Sequence, residues 1–257
     1  MKKLLFCFII LILICGLAFS QDAAAIVEQS RNRIQANTVS TRFRMVITAR
    51  GGAVTERMMD QYSKKDANGN RRSVISFLEP ASVRGTRFLT IENRSGGNDQ
   101  WIFLPSLNRV RRIAASEGSS SFVGTDFSYD DIASMDRRTD LDNHRLLREE
   151  RFNNSDCYVV ESTPRETGYQ YSRMIQWIDK ANHVPYKVEL YDRRGTLVKL
   201  LEILELRTIQ GRLTPVVTKL TTIAAGSSTT LSVVNLRYDD NVPESVFTMN
   251  YLETGRP

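Results

Sequence analysis

Two histidines, His144 and His183, and one cysteine beyond the first twenty residues, Cys157, are the first places to look for chemistry in this 257-residue chain. Neither histidine stands in a metal-ligand spacing, and a single thiol cannot build a thiolate zinc site. No G-x-S-x-G elbow presents a serine nucleophile, and Gly124-Thr125-Asp126 is too short to cradle a phosphate. The acid pairs Asp130-Asp131 and Asp239-Asp240 could share a proton, but adjacent acids more often mark turns and caps. These residues point to a protein that is not an enzyme and needs no cofactor and no metal. A hydrolase using an unrecognised Ser or Asp is the residual catalytic alternative.

The charged residues are unusual in kind. The chain carries 35 Lys+Arg, 27 of them Arg, against 29 Asp+Glu, for a net charge of +6. Lys2 and Lys3 precede an apolar run from Leu4 to Leu17, followed by Ala18-Phe19-Ser20. This reads as a secretory signal cleaved after Ser20, spanning 1–20, with 21–257 as a single domain. Loss of the two lysines lowers the net charge from +6 to +4. Cys7 and Cys15 leave with the signal, so no intrachain disulfide is expected. Ile14 occupies the place where a lipoprotein signal has a small residue, so Cys15 is read as part of the signal and not as a lipid anchor. No later stretch approaches the ~20 apolar residues of a membrane span, which leaves an exported protein with transient or peripheral membrane contact. The arginines are spread over nearly every strand, an argument against a nucleic-acid groove. Their stems can cover apolar surface. The densest group, Arg109, Arg111 and Arg112, could also meet anionic lipid or an acidic partner.

The elements that position these residues are mostly strands. Asp22 to Gln35 has a helical period, with Asp22 as N-cap. From Thr41 onward the period is two: Thr41–Ala49, Val54–Tyr62, Arg72–Leu78, Thr86–Glu92, Gln100–Leu104, Cys157–Ser162, Tyr171–Asp179, Pro185–Tyr191, Leu197–Leu206, Leu213–Ile223 and Thr229–Arg237. Turn chemistry separates them, as at Gly51-Gly52, Asp66 to Asn70 and Asp192 to Gly195. About eleven such strands predict a mainly β fold, an antiparallel sheet closed or half-closed into a barrel. Pro105 to Asn143 reads instead as a long excursion with a short helix from Tyr129 to Ser134. An excursion of that length suits a lid over a cavity.

The apolar strand residues Phe43, Met45, Ile47, Phe88, Trp101, Phe103, Trp177, Tyr186 and Leu190 are core in a filled barrel. In an incomplete barrel they would line an apolar cavity. Alternation alone leaves both open.

Several blocks resemble the periplasmic outer-membrane lipoprotein-sorting proteins related to the lipoprotein carrier LolA. They are Phe77-Leu78-Glu79-Pro80 with Arg84 to Leu89, Trp101 to Pro105 with Arg109 to Ile113, and Phe122 to Ile132, supported by Trp177-Ile178-Asp179 and Pro185. The resemblance implies a LolA/LolB-like incomplete antiparallel barrel, a helical lid and an apolar cavity that shelters acyl chains of a lipoprotein or lipid. It also implies a periplasmic location, and relatives are associated with resistance-nodulation-division type inner-membrane exporters. On this reading Phe122, Phe127 and Tyr129, with Arg109, Arg111 and Arg112, are lid or partner contacts. The cavity residues remain an inference from alternation. The rival reading is an accessory or sensor module of such an exporter, carrying no cargo.

Overall fold

The computed structural model describes residues 22–93, 97–134 and 137–257. The stretch read as an export signal, with Cys7 and Cys15, lies outside the described residues. Helix α1 (Ala23–Asn32) begins where Asp22 accepts a hydrogen bond from Ala24 N at 3.0 Å. It ends before Gln35, whose side-chain amide donates to Asn32 O at 2.7 Å and closes the last turn.

Thirteen strands follow among the described residues: β1 (Thr38–Thr48), β2 (Val54–Lys65), β3 (Arg71–Glu79), β4 (Arg87–Ile91), β5 (Asp99–Leu104), β6 (Arg109–Arg112), β7 (Asp142–Phe152), β8 (Ser155–Pro164), β9 (Arg173–Asp179), β10 (Pro185–Tyr191), β11 (Leu197–Ile209), β12 (Arg212–Thr222) and β13 (Ser227–Tyr238). They form one antiparallel sheet in the order β6-β5-β4-β3-β2-β1-β13-β12-β11-β10-β9-β8-β7. The sheet is not closed, and β6 and β7 are its free edges.

Two strands exceed the sequence expectation. β6 is a four-residue edge strand, Arg109-Val110-Arg111-Arg112, too short and too charged to show an alternation. In β7 a bulge between Leu146 and Arg148 shifts the register by one residue, which breaks the period of two midway.

The strand order dictates what the long excursion does. The chain starts at the centre with β1, steps outward to β6, and restarts at the opposite edge with β7 before returning to pair β13 with β1. Every other connection joins neighbouring strands. The segment 113–141 alone must travel from one edge to the other, and it does so across one face of the sheet. It contains helix α2 (Tyr129–Ala133), capped by Ser128, whose hydroxyl accepts from Asp131 N at 3.0 Å while Asp131 Oδ2 accepts from Ser128 N at 2.8 Å. Helix α1 covers the same face at its far end, with Ala23 and Ile26 against Val160 and Ile178.

The opposite face is covered only locally. Helix α3 (Met249–Thr254) and the turn before it bring Val246, Phe247, Tyr251 and Leu252 onto Val74, Leu89 and Phe103. β3 is therefore buried on both sides, with Val74 under α3 and Ile75 under the crossing segment.

Candidate functional site

The inner face of the sheet carries one apolar cluster drawn from most of its width: Met45 of β1, Met59 of β2, Ile75 and Phe77 of β3, Phe88 of β4, Ile102 of β5, Leu190 of β10, Leu220 of β12 and Leu231 of β13. Phe122, Phe127, Tyr129 and Ile132 of the crossing segment fill the space above them. Phe122 is fully buried and meets Phe88 edge-on at 5.0 Å, Phe77 at 5.8 Å and Tyr129 at 5.6 Å between ring centroids. Tyr129 in turn lies 5.6 Å from Phe88.

These contacts require the sheet to curl. At ~4.8 Å between strands, β4 and β11 would stand about 29 Å apart in a flat sheet. Tyr129 touches Phe88 on β4, while Asp131, two residues along the same short helix, pairs with Lys199 on β11 at 2.6 Å. The sheet wraps around the segment, and the segment is the lid of the half-barrel.

Polar latches fix the lid on both sides. Asp131 is held on the β11 side by Lys199 Nζ at 2.6 Å, by the Tyr171 hydroxyl at 2.7 Å and by Gln170 Nε2 at 3.0 Å. Burial pushes the Tyr171 phenol far above its ordinary range, so it remains a donor to the carboxylate. Asp126 is held by the β12–β13 hairpin: Thr222, Ser227 and Thr229 donate their hydroxyls to its carboxylate at 2.6, 2.5 and 2.7 Å. Asp130 faces β5, where Gln100 Nε2 donates to it at 3.2 Å, and burial raises its pKa above the usual carboxylate value.

On the opposite side Arg57 of β2 donates Nη1 to Val123 O at 2.6 Å. Its guanidinium carbon stands 5.7 Å from the centre of the Phe77 ring, and partial burial lowers its pKa. The residue it holds is strained: Val123, β-branched, has φ +50, followed by Gly124 at φ +74. No sequence motif marked Arg57. The usable signal is an arginine on the same strand parity as Met59 and opposite Met45 of β1.

The nine residues expected to line one cavity divide among three clusters. Phe43, Met45, Ile47, Phe88 and Leu190 belong to the interior beneath the lid. Trp101 and Phe103 do not, because Phe88 pairs with Ile102 and Leu89 with Trp101, which sends Trp101 and Phe103 to the face covered by α3. Trp177 and Tyr186 pack with Cys157 and Val159 on the outer side of β8–β10. Tyr186 sits in the irregularity between Pro185 and Lys187. Phe122, Phe127 and Tyr129 are interior residues. Arg111 is paired with Glu117 at 2.8 Å and Arg112 with Asp99, while Arg109 is exposed. Thus the arginine group is largely neutralised.

His144 is part-buried between the Ser162 hydroxyl at 2.8 Å and Thr139 O at 2.9 Å. Cys157 is a buried free thiol whose pKa burial pushes up to about 11. Among the described residues, no helix is long and apolar enough to cross a membrane.

A family model described as that of an uncharacterized protein matches residues 69–254. The crystal structure of a DUF1329 family protein from Desulfovibrio piger is 31% identical, with a TM-score of 0.86 over 90% of this chain and 97% of that one. This chain belongs to the DUF1329 family. The crystal structure of a domain named for outer membrane lipoprotein sorting from Vibrio parahaemolyticus is 28% identical with a TM-score of 0.85, covering 90% of this chain and 98% of its own. A LolA superfamily protein from Nitrosomonas europaea shares the fold at 24% identity and a TM-score of 0.72, over 90% of this chain and all of its own. Curated proteins include no match to this DUF1329 chain.

Proposed function

We propose that this protein is a periplasmic carrier that shelters acyl chains of a lipoprotein or lipid in the interior of the half-barrel, for transfer toward the outer membrane. The observation that carries the reading is the nature of the filling. The apolar inner face is occupied by the chain's own lid, a segment outside the sheet held by a few polar latches, and not by interdigitated strands. Moving the lid aside uncovers a trough lined by Met45, Met59, Phe88 and Leu190 without breaking a strand pair. Met45 and Met59 suit such a trough because unbranched thioethers adapt to a flexible chain.

The energetics allow the exchange. Each large apolar side chain leaving the interior costs ~2 kcal/mol, and each methylene entering it returns ~0.8 kcal/mol. The naming of the Vibrio relative for lipoprotein sorting and the shared LolA fold support the same cargo class. An exporter-accessory role through Arg109, Arg111 and Arg112 has less support, since two of the three are already in ion pairs.

The test is transfer of a pyrene-labelled diacylglycerol from phosphatidylcholine vesicles to the purified protein, with lipid co-purifying from native membranes identified by mass spectrometry. Saturable uptake, lost in Leu190→Asp with the fold intact by circular dichroism, is the expected result. No uptake by the wild type, or unchanged uptake by the variant, overturns the reading.

A further inference from the structure

Three hairpin turns stand side by side at one end of the sheet: 49–53 between β1 and β2, 223–226 between β12 and β13, and 192–196 between β10 and β11. The strand register brings them together. Thr48 pairs with Val54 on one side and Ser228 on the other, Thr222 pairs with Ser227 and Lys199, and Ile223 N donates to Val198 O at 2.9 Å. A Cβ added to Gly226 would stand 3.5 Å from Arg50 Cγ, so the first two turns are in contact.

What this row displays is apolar and basic. Val54 is 55% exposed and Ile223 45%, and the alanines around them, Ala53, Ala224 and Ala225, are exposed as well. The turns close on themselves, with Ala49 N donating to Ala53 O and Gly226 N to Thr222 O, both at 2.9 Å, so an apolar environment at the tips need not strand these backbone groups. Arg50 and Arg194 are exposed and have no ion pair among the described residues, while Arg193 donates to the carbonyls of Gly168 and Tyr169. Against these three arginines the turns hold one acid, Asp192, which accepts from Arg194 N at 2.9 Å and Thr196 N at 2.8 Å within its own turn. Arginines elsewhere on the sheet are matched one to one, as in Arg42–Asp60, Arg44–Glu56 and Arg112–Asp99. The surplus positive charge favours an anionic partner. Two separate aliphatic side chains among alanines and glycines provide neither the aromatic anchor nor the packed centre of a protein interface. Shallow aliphatic tips flanked by guanidinium groups suit the headgroup layer of an anionic bilayer.

We propose that these three turns are a docking surface for an anionic lipid bilayer, with Val54 and Ile223 entering the headgroup layer and Arg50 and Arg194 meeting lipid phosphates. Just inside the row, Ile47 and Val198 pack against the interior cluster, so a bilayer docked here borders the apolar interior directly. The inference goes beyond the acyl-chain reading and does not require it, because a protein can dock on a bilayer without removing a lipid from it.

The experiment is co-sedimentation of the chain beginning at Gln21, which contains every element described, with mixed phosphatidylcholine–phosphatidylglycerol vesicles and with pure phosphatidylcholine vesicles. The wild type is expected to bind the mixed vesicles about tenfold more tightly. Val54→Asp combined with Ile223→Asp should weaken that binding about tenfold, and Arg50→Gln combined with Arg194→Gln should erase the preference for phosphatidylglycerol. Val234→Asp, which changes an aliphatic side chain of β13 that is 57% exposed and outside the row, should leave binding unchanged. All the altered side chains are exposed, so thermal melting of each variant should match the wild type. No binding by the wild type, equal binding to the two kinds of vesicle, undiminished binding by the double aspartate variant, or an equal loss in Val234→Asp overturns the inference. A wild-type dimer that the double aspartate variant dissolves assigns the row to a second copy and overturns it as well. Pyrene-lipid uptake separates the two readings: docking without uptake keeps this surface and removes the acyl-chain carrier, and uptake without docking does the reverse.

Discussion

Asp126 and Asp130 sit four residues apart on the lid, and their surroundings make them opposites. Asp126 receives hydroxyls from Thr222, Ser227 and Thr229, all on the β12–β13 hairpin. Asp126→Ala strands three hydroxyls and is expected to cost about 3 kcal/mol in urea unfolding, with Asp126→Asn recovering part of it. Asp130 has burial as the leading influence and, among the described residues, Gln100 as its side-chain donor. A carboxyl whose folded pKa lies above its unfolded value binds its proton more tightly in the native state. Its ionisation therefore weakens the fold as pH rises through the folded pKa, and the penalty vanishes below the unfolded one. Asp130→Asn keeps an acceptor for Gln100 Nε2 and offers a donor beside Gln100 Oε1, which is buried without a partner. The variant should be more stable than the wild type at pH 7, with the gap closing as pH falls into the carboxylate range. A gap that is constant with pH would show that Asp130 titrates as an ordinary surface acid.

Helices and strands differ in how plainly the sequence announces them. Eleven strands and the short lid helix follow from alternation, capping and turn residues, because a half-buried strand must alternate and a hairpin must place its turn chemistry between strands. Alternation does not say which parity faces inward on the next strand. Phe88 opposite Ile102, with Trp101 and Phe103 turned the other way, is decided by the register of one hairpin, and no feature of the residues themselves declares it. α3 was equally silent, since Met249–Thr254 has too few turns to show a period. Nor could alternation tell that the interior is filled from the lid, as Phe122 and Phe127 belong to no periodic segment. The lid is best probed as an element. Phe122→Ala should cost about 3–5 kcal/mol, speed hydrogen exchange in 113–134 relative to β8 and β9, and speed acyl uptake. Lost stability with an unchanged uptake rate would mean that the lid does not gate the interior.

At the scale of the molecule, one edge-to-edge crossing turns a curled sheet into a container that stores its own plug. Displacing Phe122, Phe127, Tyr129 and Ile132 costs about 8 kcal/mol at ~2 kcal/mol each, which some ten buried methylenes at ~0.8 kcal/mol would offset. Uptake should therefore rise steeply with chain length, being weak for chains of about six carbons and strong for about sixteen, as measured with a homologous series of labelled lipids. A flat dependence would show that the plug stays in place. The open architecture also leaves two raw borders, and both are written in charge: Arg109, Arg111 and Arg112 along β6, and Arg145, Arg148, Glu149, Glu150 and Arg151 along β7. Copies meeting along β6 would bring Arg109 against Arg109 and crowd the Arg111–Glu117 and Arg112–Asp99 pairs, so growth into stacked cross-β fibrils is opposed by the residues that terminate the sheet. A sheet bordered this way resists edge-to-edge association while its backbone stays unsealed.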